Sequence, residues 1–359
     1  MKLLVTGGAG YIGSTVCTAL EQAGHVPVVL DSLVTGPAAF VAGRIFYQGD
    51  IADTALVRRI FEEHPDITAT LHFAARIVVS ESLAQPALYY RENVVKSLTL
   101  FETLLALGQR RVIFSSSASI YDSPPSDGPA GLQVTEASPL RPLSPYARSK
   151  WMMEEVLRDL CAASAGSSAP LRAIALRYFN PIGADPELRT GPYLPDPSHV
   201  LGRLVATWQG RQPVFSVMGT DYPTRDGTGL RDYIHIWDLA LAHVAAAEHF
   251  DEAFAQAEAD LGEAQVFLPI NVGTGSGTTV RELLEAFQEV AGTTLDVQDS
   301  PRRPGDSAGA CAEISRARAW LNWLPRHTSR EAIASALAWE AQREARLHPP
   351  ATETEAVAG

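Results

Sequence analysis

Cysteine is scarce in this chain of 359 residues, where it occurs as Cys17, Cys161 and Cys311. The three positions are widely spaced, and no Cys-x-x-Cys pair or Cys/His cluster accompanies them. A disulfide framework and a structural zinc site both need such clusters, so the sequence predicts neither, and no metal is expected. The hydrophobic content of 46% is that of a globular protein, and the length suits about two domains.

Long apolar runs and excess positive charge are missing as well. No run of about 18 apolar residues occurs, and the apolar start is interrupted at Gly7, so we expect neither a transmembrane helix nor a signal peptide. The 29 basic and 41 acidic residues give a formal net charge of −12. Such a chain lacks the basic footprint of nucleic-acid binding and is unsuited to acidic membranes. We therefore expect a cytoplasmic protein with no nucleic-acid or membrane partner.

Short apolar strands alternate with helix-length segments over the first 115 residues, which predicts an α/β fold with a parallel sheet covered on both faces. The stretch 122–145 is rich in proline, serine and glycine and is predicted as a long loop. The alanine-rich, acidic stretch 251–263 is predicted as a surface insertion. The predicted strands are 3–5, 26–30, 70–74, 111–115 and 172–179, and the predicted helices are 11–23, 55–63, 145–163, 281–291 and 330–346.

A glycine-rich stretch, residues 7–13 (GGAGYIG), follows the first strand and opens the first helix. Glycine suits the tight turn, the close backbone approach to phosphate and the helix–strand packing of a dinucleotide site. The helix N-terminus then offers free N–H groups to a pyrophosphate. Asp31, 18 residues beyond Gly13, suits an adenosine ribose and would repel a 2′-phosphate, which favours NAD over NADP. Asp50 and Ile51 follow the next strand and could cover the adenine, although Asp50 could equally serve a turn.

Tyr146 and Lys150 form a Tyr-x-x-x-Lys pair on a predicted helix, and this spacing puts both side chains on one face. A phenol titrates near pH 10, and a nearby ammonium lowers that value, so such a tyrosine can act as a general base. The match is informative because the other lysines are only Lys2 and Lys96. The serines 115–117 end a predicted strand, where doubly wound folds place their chemistry.

Several motifs, in order along the chain, resemble those of the extended short-chain dehydrogenases/reductases. They are residues 6–13 (TGGAGYIG), 72–75 (HFAA), 115–117 (SSS), Tyr146 with Lys150, and 177–181 (RYFNP). More narrowly, residues 219–229 (GTDYPTRDGTG) and 231–235 (RDYIH) resemble the UDP-galactose (UDP-glucose) 4-epimerases. The resemblance runs from residue 1 to about residue 340.

The resemblance implies a Rossmann-type doubly wound parallel sheet with a smaller, discontinuous α/β substrate domain. The NAD-binding domain would comprise residues 1–179 and about 232–272. The nucleotide-sugar domain would comprise about 180–231 and 273–346, with a disordered tail at 347–359. The resemblance also implies NAD as cofactor, a UDP-sugar substrate and a homodimer.

The resemblance further implies how the residues divide the work. Tyr146 would take the proton of the sugar 4-hydroxyl while NAD temporarily accepts hydride from C4, giving a 4-keto sugar that is reduced again on its other face. Ser117 would hydrogen-bond the same oxygen, and Lys150 would hold the nicotinamide ribose and lower the pKa of Tyr146. The implied cofactor-binding residues are Gly7, Gly10, Tyr11, Ile12, Gly13, Asp31, Asp50, Ile51, Phe73, Ala74, Ala75, Asn93, Ser115, Tyr146, Lys150 and Tyr178. The implied substrate-binding residues are Ser117, Tyr146, Asn180, His199, Val200, Ser216, Met218, Arg231, Arg303, Asp306 and Ala310.

Some positions depart from the family pattern. Ile77 stands where a lysine is common, with Arg76 before it. His199 replaces an asparagine near the UDP, Met218 replaces an aromatic residue near the uracil, and Asp122 replaces a glycine. Drift within a tolerant pocket would explain each departure, so they bear on the choice of sugar more than on the reaction.

The pocket residues leave two other sugars open. Ala310, or Cys311 if the alignment slips by one residue, lies where some relatives carry a bulky tyrosine. A small residue there leaves room for an N-acetyl group at C2, which favours UDP-GlcNAc as a further substrate. A UDP-glucuronate 4-epimerase would need cationic or hydroxyl donors for a carboxylate, for which Arg76, Arg189 and the serines are candidates. 

Other activities fit the motifs less well. A 4,6-dehydratase or a decarboxylase would need an acid after the catalytic hydroxyl, but Ala118 and Ser119 follow Ser117. A non-catalytic NAD-sensing module would tend to lose the Tyr/Lys pair, and both Tyr146 and Lys150 are present.

Overall fold

The computed structural model describes residues 1–122, 132–197, 199–302 and 307–348. Fifteen strands lie within these ranges. They are β1 (Lys2–Thr6), β2 (Val26–Asp31), β3 (Ile45–Gln48), β4 (Ile67–His72), β5 (Arg111–Ser117), β6 (Gln133–Val134), β7 (Arg172–Tyr178), β8 (Asn180–Ile182), β9 (Phe215–Met218), β10 (Leu230–Arg231), β11 (Tyr233–His235), β12 (Phe267–Val272), β13 (Thr278–Thr279), β14 (Val297–Ser300) and β15 (Gly309–Ala312).

Helices connect most of these strands. A π-helical segment (Tyr90–Val95) runs directly into the fifth α-helix, which starts at Lys96. Within the described ranges, no helix has both the length and the apolar content needed to cross a membrane. The α-helices are α1 (Tyr11–Gln22), α2 (Thr54–Glu63), α3 (Val79–Ala84), α4 (Pro86–Tyr89), α5 (Lys96–Ala106), α6 (Pro145–Ser164), α7 (Val200–Trp208), α8 (Ile236–Glu248), α9 (Phe250–Leu261), α10 (Val280–Ala291), α11 (Ser315–Leu321) and α12 (Ser329–Leu347).

Seven strands form one parallel sheet in the order β3-β2-β1-β4-β5-β7-β12. The order reverses between β1 and β4, which is the topological switch point of a doubly wound fold. Ligands bind such sheets in the crevice at the carboxyl ends of the strands next to this point. The predicted Rossmann-type sheet is confirmed.

The central strands are apolar throughout because both faces of the sheet are covered. Alternate residues of β1 enter different cores, with Leu3 and Val5 in one hydrophobic cluster and Leu4 in the other. The first cluster packs under α1, α8 and α9, and the second under α2, α5 and α6. The two helical layers hold the crevice at a fixed place.

Smaller sheets follow in the later part of the chain. One has the order β13-β10-β15-β6, and two others pair β8 with β11 and β9 with β14. A separate core joins β9, α7, α10 and α12 through Phe215, Leu204, Phe287 and Ile333. The domain boundaries given above stay a prediction.

Three sequence-based expectations need correction. The stretch 251–263 is mostly the helix α9, with Phe250, Ala253 and Phe254 buried in the core. Its acidic composition concealed an apolar face spaced by three and four residues. Strand β4 ends at His72 rather than at residue 74. The described part of the loop 122–145 contains β6, which pairs with β15.

Candidate active site

The glycine turn between β1 and α1 lies at the switch point and leaves no room for side chains. Gly7 has φ +76°, and a Cβ there would lie 2.6 Å from the backbone nitrogen of Ala74. A Cβ on Gly13 would lie 2.2 Å from the carbonyl oxygen of Gly7. Gly10 is the N-cap of α1, and among the described residues no side chain caps this helix start. The free N–H groups and the close backbone approach fit a dinucleotide pyrophosphate.

Asp31 lies against this turn, as the sequence predicts. Its Oδ2 accepts a hydrogen bond from the N–H of Ala9 at 2.9 Å, and its Oδ1 accepts one from the N–H of Leu33 at 2.8 Å. Each carboxylate oxygen can accept a further hydrogen bond. The carboxylate is therefore oriented toward the turn while keeping acceptor capacity for the hydroxyls of a ribose.

Tyr11 and Ile12, the first residues of α1, face the protein. The hydroxyl of Tyr11 donates to the carbonyl of Gly183 at 2.6 Å, and burial raises its pKa. Ile12 packs against the first hydrophobic cluster. Their backbone N–H groups, rather than these side chains, lie at the helix start where a phosphate would bind.

Asp50 has a partner that the sequence analysis missed. The ammonium of Lys96 donates to Asp50 Oδ2 at 2.5 Å and to Glu92 Oε2 at 2.7 Å. The other oxygen of Asp50 accepts from the N–H of Ala52 at 2.9 Å. The only signal in the sequence is the Glu92–Lys96 spacing of four residues on one helical face. Ile51, next to Asp50, is buried in the second hydrophobic cluster.

The segment after β4 borders the same crevice. Phe73 donates its N–H to the carbonyl of Thr6, and Ala74 touches Gly7. Ala75 follows, half-buried. Asn93 holds the backbone of Arg76, the residue after Ala75. Its Oδ1 accepts from the N–H of Arg76 at 2.8 Å, and its Nδ2 donates to the Arg76 carbonyl at 2.9 Å.

The catalytic candidates meet where β5 ends against α6. The Lys150 ammonium donates to the carbonyl of Ser115 at 2.6 Å and lies 5.1 Å from the ring centre of Phe114. The Ser117 side chain lies near the Tyr146 phenol. The Ser117 Oγ hydrogen-bonds the hydroxyl of Ser119 at 2.9 Å and accepts from the Ser119 N–H at 3.2 Å. Ser144 starts α6 by accepting a hydrogen bond from the N–H of Ala147, which fixes the orientation of the helix.

Burial dominates the proton chemistry of this group. It lowers the pKa of Lys150 to about 7 and raises the pKa of Tyr146. The nearby Ser117 side chain opposes this rise in the pKa of Tyr146. The prediction that Tyr146 has a lowered pKa because of Lys150 is therefore wrong for this structure, since burial outweighs the other influences and the ammonium is directed to the Ser115 carbonyl.

Tyr178 lies behind the catalytic group, on the neighbouring strand. Its hydroxyl bonds His243 Nε2 at 2.5 Å, while His243 Nδ1 donates to the carbonyl of Leu239. Burial raises the pKa of Tyr178, and the nearby Ser115 side chain opposes that rise. Its position agrees with the predicted cofactor region, but its hydroxyl is engaged within the protein.

The predicted substrate residues spread over the smaller sheets. Asn180 donates its Nδ2 to the carbonyl of Asp232 at 3.2 Å. Arg231 Nη1 donates to the carbonyl of Leu230 at 2.8 Å, and in the strand register Arg231 is opposite Ala310. The structure thus brings the β10 arginine and the small residue of β15 together.

The remaining predicted substrate residues lie on α7 and β9, or outside the described residues. His199 caps α7, since its Nδ1 accepts from the N–H of Gly202 at 3.1 Å, and Val200 is the first residue of that helix. Ser216 accepts a hydrogen bond from Gln298, and half-buried Met218 ends β9. Arg303 and Asp306 lie outside the described residues.

Fold and site together define the class of the protein. A doubly wound sheet combines a glycine turn, an aspartate at the end of β2 and a Tyr/Lys helix beside a serine-ended strand. This is the arrangement of a Rossmann-type enzyme of the short-chain dehydrogenase/reductase kind. The sequence model of the NAD dependent epimerase/dehydratase family matches residues 3–262, and the chain belongs to this family.

Individual relatives agree over nearly the full length. The chain is 40% identical to the UDP-glucose 4-epimerase of Azospirillum brasilense over 341 residues, covering 94% of this chain and 92% of the relative. A crystal structure of UDP-glucose-4-epimerase from Stenotrophomonas maltophila, with bound NAD and formylated UDP-arabinopyranose, has a TM-score of 0.85 and 36% identity, covering 96% of this chain and 99% of that one. The UDP-Glc/GlcNAc 4-epimerase of Campylobacter jejuni has a TM-score of 0.77 and 36% identity, covering 95% and 99%.

Proposed function

We propose that the protein is an NAD-dependent epimerase that inverts C4 of a UDP-hexose and interconverts UDP-glucose and UDP-galactose. The observation that carries the proposal is the group formed by half-buried Ser117 and Tyr146 and buried Lys150 at the carboxyl edge of the sheet. Ser117 ends β5, and Tyr146 and Lys150 lie on α6. Strand β5 belongs to the same sheet as β1, which the glycine turn follows. The relatives described above support the same reaction.

Tyr146 is the base of the proposed reaction, and it takes the proton of the sugar 4-hydroxyl. Ser117, whose side chain lies near the Tyr146 phenol, donates to the same sugar oxygen. Bound NAD supplies the temporary oxidation at C4 that allows the configuration to be inverted. Lys150 donates one of its three N–H groups to the carbonyl of Ser115, and the other two can donate to a ribose diol.

The sequence assigns further residues to the cofactor, and the geometry supports this assignment for the glycine turn and Asp31. Gly7, Gly10 and Gly13 shape the turn, and Asp31 is oriented beside it. We propose that the backbone of this turn holds the pyrophosphate and that Asp31 holds the adenosine ribose. The other proposed cofactor contacts are Tyr11, Ile12, Asp50, Ile51, Phe73, Ala74, Ala75, Asn93, Ser115 and Tyr178.

The UDP part of the substrate is assigned to the smaller sheets. Arginine suits a diphosphate because its planar fork can bind two oxygens together, and Arg231 is placed beside the sugar-side residue Ala310. We propose that Arg231 and Arg303 hold the diphosphate and that Asp306 accepts from the uridine ribose. The other proposed contacts are Asn180, His199, Val200, Ser216 and Met218.

A hexuronate substrate is less well supported. Arg76, the candidate partner for its carboxylate, already forms an ion pair with Glu81 at 3.4 Å. Glu81 also accepts from the hydroxyl of Tyr89 at 2.8 Å. Arg189, the second candidate, donates two hydrogen bonds to buried Asp185. Both arginines are therefore neutralised within the protein.

A second substrate, UDP-GlcNAc, is favoured by the small side chain of Ala310. The relative from Campylobacter jejuni, named a UDP-Glc/GlcNAc 4-epimerase, supports this extension. The variant Ala310→Tyr should lose at least about 10-fold in kcat/KM for UDP-GlcNAc and keep that for UDP-glucose, because a bulky ring competes with the N-acetyl group. Unchanged turnover of UDP-GlcNAc in this variant would contradict the proposed size limit.

The function itself is tested by incubating purified protein separately with UDP-glucose, UDP-GlcNAc and UDP-glucuronate and resolving the C4 epimers by NMR. We expect the highest kcat/KM for UDP-glucose. The variant Tyr146→Phe, which lacks only the hydroxyl, should be about 100- to 10,000-fold slower while still binding NAD. A preference for UDP-glucuronate would overturn the substrate assignment. Absence of turnover with NAD bound would support a non-catalytic NAD-sensing module instead.

We also propose a cytoplasmic homodimer. Leu83 of α3, Val95 of the π-helical segment and Met152 of α6 are exposed apolar side chains on elements that pack together, and a second copy could cover them. All three cysteines are free thiols, as is usual in a reducing compartment. Light scattering of the purified protein tests the dimer, and a monomer at micromolar concentration would contradict it.

A further inference from the structure

A fully buried ion pair lies directly behind the catalytic group. Arg177 of β7 donates through Nε to Glu154 Oε1 at 3.0 Å and through Nη2 to Glu154 Oε2 at 2.6 Å. The two residues are 1% and 0% exposed. Desolvating two charges is costly even in this bidentate geometry. The pair therefore calls for an explanation other than stability alone.

Glu154 connects this pair to the catalytic strand. The hydroxyl of Ser116 donates to Glu154 Oε1. Ser116 stands between Ser115, whose carbonyl accepts from Lys150, and Ser117, whose side chain lies near the Tyr146 phenol. The end of β5 is thus tied to α6 at two successive residues, and Lys150 and Glu154 are one helical turn apart on that helix.

Arg177 connects the pair to the segment that follows Ser117. Its Nη1 donates to the hydroxyl of Tyr121 at 2.9 Å and to the carbonyl of Glu136 at 3.1 Å. The hydroxyl of Tyr121 in turn donates to Asn271 Oδ1 at 2.6 Å. The backbone on both sides of Ser117 is therefore held by one network of buried hydrogen bonds.

We propose that Glu154, held by Arg177, is a positioning residue for the epimerase reaction, an inference that rests on the proposed function. Through Ser116 it keeps the end of β5 in place against α6, so that the hydroxyl of Ser117 stays beside that of Tyr146. It touches neither the sugar nor the cofactor. It acts by fixing the distance between the two groups that do.

The proposal has a consequence for proton transfer. The nearby Ser117 side chain opposes the raised pKa of Tyr146, so a loosened β5 should make this phenol harder to ionise. Since a base must be ionised to act, the acid limb of the kcat profile should move to higher pH. Lys150 keeps its bond to the Ser115 carbonyl, so its own titration stays the same. The titratable and charged groups around this site are His72 on β4, Lys150 and Glu154 on α6, Arg177 and Tyr178 on β7, His243 on α8, and Tyr121 and Glu136 beyond β5.

The variant Ser116→Ala is the sharpest test, because it removes the hydrogen bond from Ser116 to Glu154 and leaves the ion pair of Glu154 with Arg177 intact. We expect kcat for UDP-glucose to fall about 10-fold with KM within about 2-fold, since small misplacement of reacting groups affects turnover more than binding. The acid limb should rise by about half a pH unit, the equivalent of a weakened hydrogen bond. Glu155→Gln is the matched control, since Glu155 pairs with Arg158 on the same helix and should leave kcat and the profile unchanged.

A second variant, Glu154→Gln, should reproduce the fall in kcat. If Glu154→Gln does not fold, the result for Ser116→Ala alone decides the test. A wild-type kcat and pH profile for folded Ser116→Ala would overturn the proposal. A lower melting temperature, with kcat lowered but the acid limb unmoved, would also overturn it, because a smaller folded fraction lowers kcat without shifting the pH profile. Failure of the wild-type protein to epimerise any UDP-sugar would instead refute the proposed function.

Discussion

Lys150 is a buried cation, and its burial should destabilise the fold at neutral pH. The residue is 3% exposed, and among the described residues no carboxylate pairs with its ammonium. Its hydrogen bond to the Ser115 carbonyl replaces only part of the lost hydration. The variant Lys150→Met has a side chain of similar length and no charge. It should therefore be inactive and, at neutral pH, more stable than the wild type.

The magnitude follows from the pKa of Lys150, which burial lowers from 10.5 to about 7. Between these values the folded protein binds fewer protons than the unfolded chain, so the stability of the wild type rises with pH across that window. The difference corresponds to about 5 kcal/mol, with the full penalty present below pH 7. Loss of the Ser115 hydrogen bond costs about 1 kcal/mol. Lys150→Met should thus gain about 3 to 4 kcal/mol at pH 6 to 7 and lose that advantage by about pH 10.

Urea unfolding of cofactor-stripped protein at several pH values between 6 and 10 measures this effect. Stripping matters because NAD bound only to the folded wild type would add stability of its own. Lys2→Met is the matched control, since the Lys2 ammonium pairs with exposed Asp66 and its removal should change stability little at any pH. The reasoning is refuted if Lys150→Met is less stable than the wild type throughout, or if the difference does not change with pH.

Two further predictions concern the cofactor. The variant Gly13→Ala places a Cβ 2.2 Å from the Gly7 carbonyl oxygen, so the turn must open. The affinity for NAD, measured by calorimetry, should then weaken at least about 10-fold. Wild-type affinity would contradict the assignment of this turn to the cofactor. The variant Lys96→Met releases Asp50 from its ion pair. The affinity for NAD should then fall up to about 5-fold. The affinity for the hypoxanthine analogue of NAD, which lacks the 6-amino group, should stay constant. Equal losses for both dinucleotides would argue against an adenine contact by Asp50.

The sequence predicts the main sheet well because its signals are local. Apolar runs of strand length alternate with amphipathic helices, and Gly7 and Asp31 mark the ends of β1 and β2. The failures have tertiary causes. Strand β6 has two residues and exists through its partner β15, far away in the chain. Helix α9 is acidic on its outer face, which conceals that Phe250 and Phe254 complete the core.

The site shows the same division between local and tertiary information. The spacing of Tyr146 and Lys150 correctly predicts a shared helix. It does not predict the direction of the Tyr146 pKa, because that depends on burial and on where the ammonium finds its acceptor. Asp50 is a similar case, since its neighbour Lys96 comes from α5. Sequence motifs identify reacting groups, whereas the partners that tune them come from distant segments.

The buried ion pair explains why Lys150 has no carboxylate partner among the described residues, although Glu154 lies one turn along the same helix. Both oxygens of Glu154 are occupied, one by Arg177 and Ser116 and the other by Arg177. A carboxylate held in this way does not turn toward Lys150, so the ammonium keeps its lowered pKa and its free N–H groups. The same pair that fixes the catalytic strand therefore leaves the lysine available for the ribose, and the instability of an unpaired buried cation is the cost of that availability.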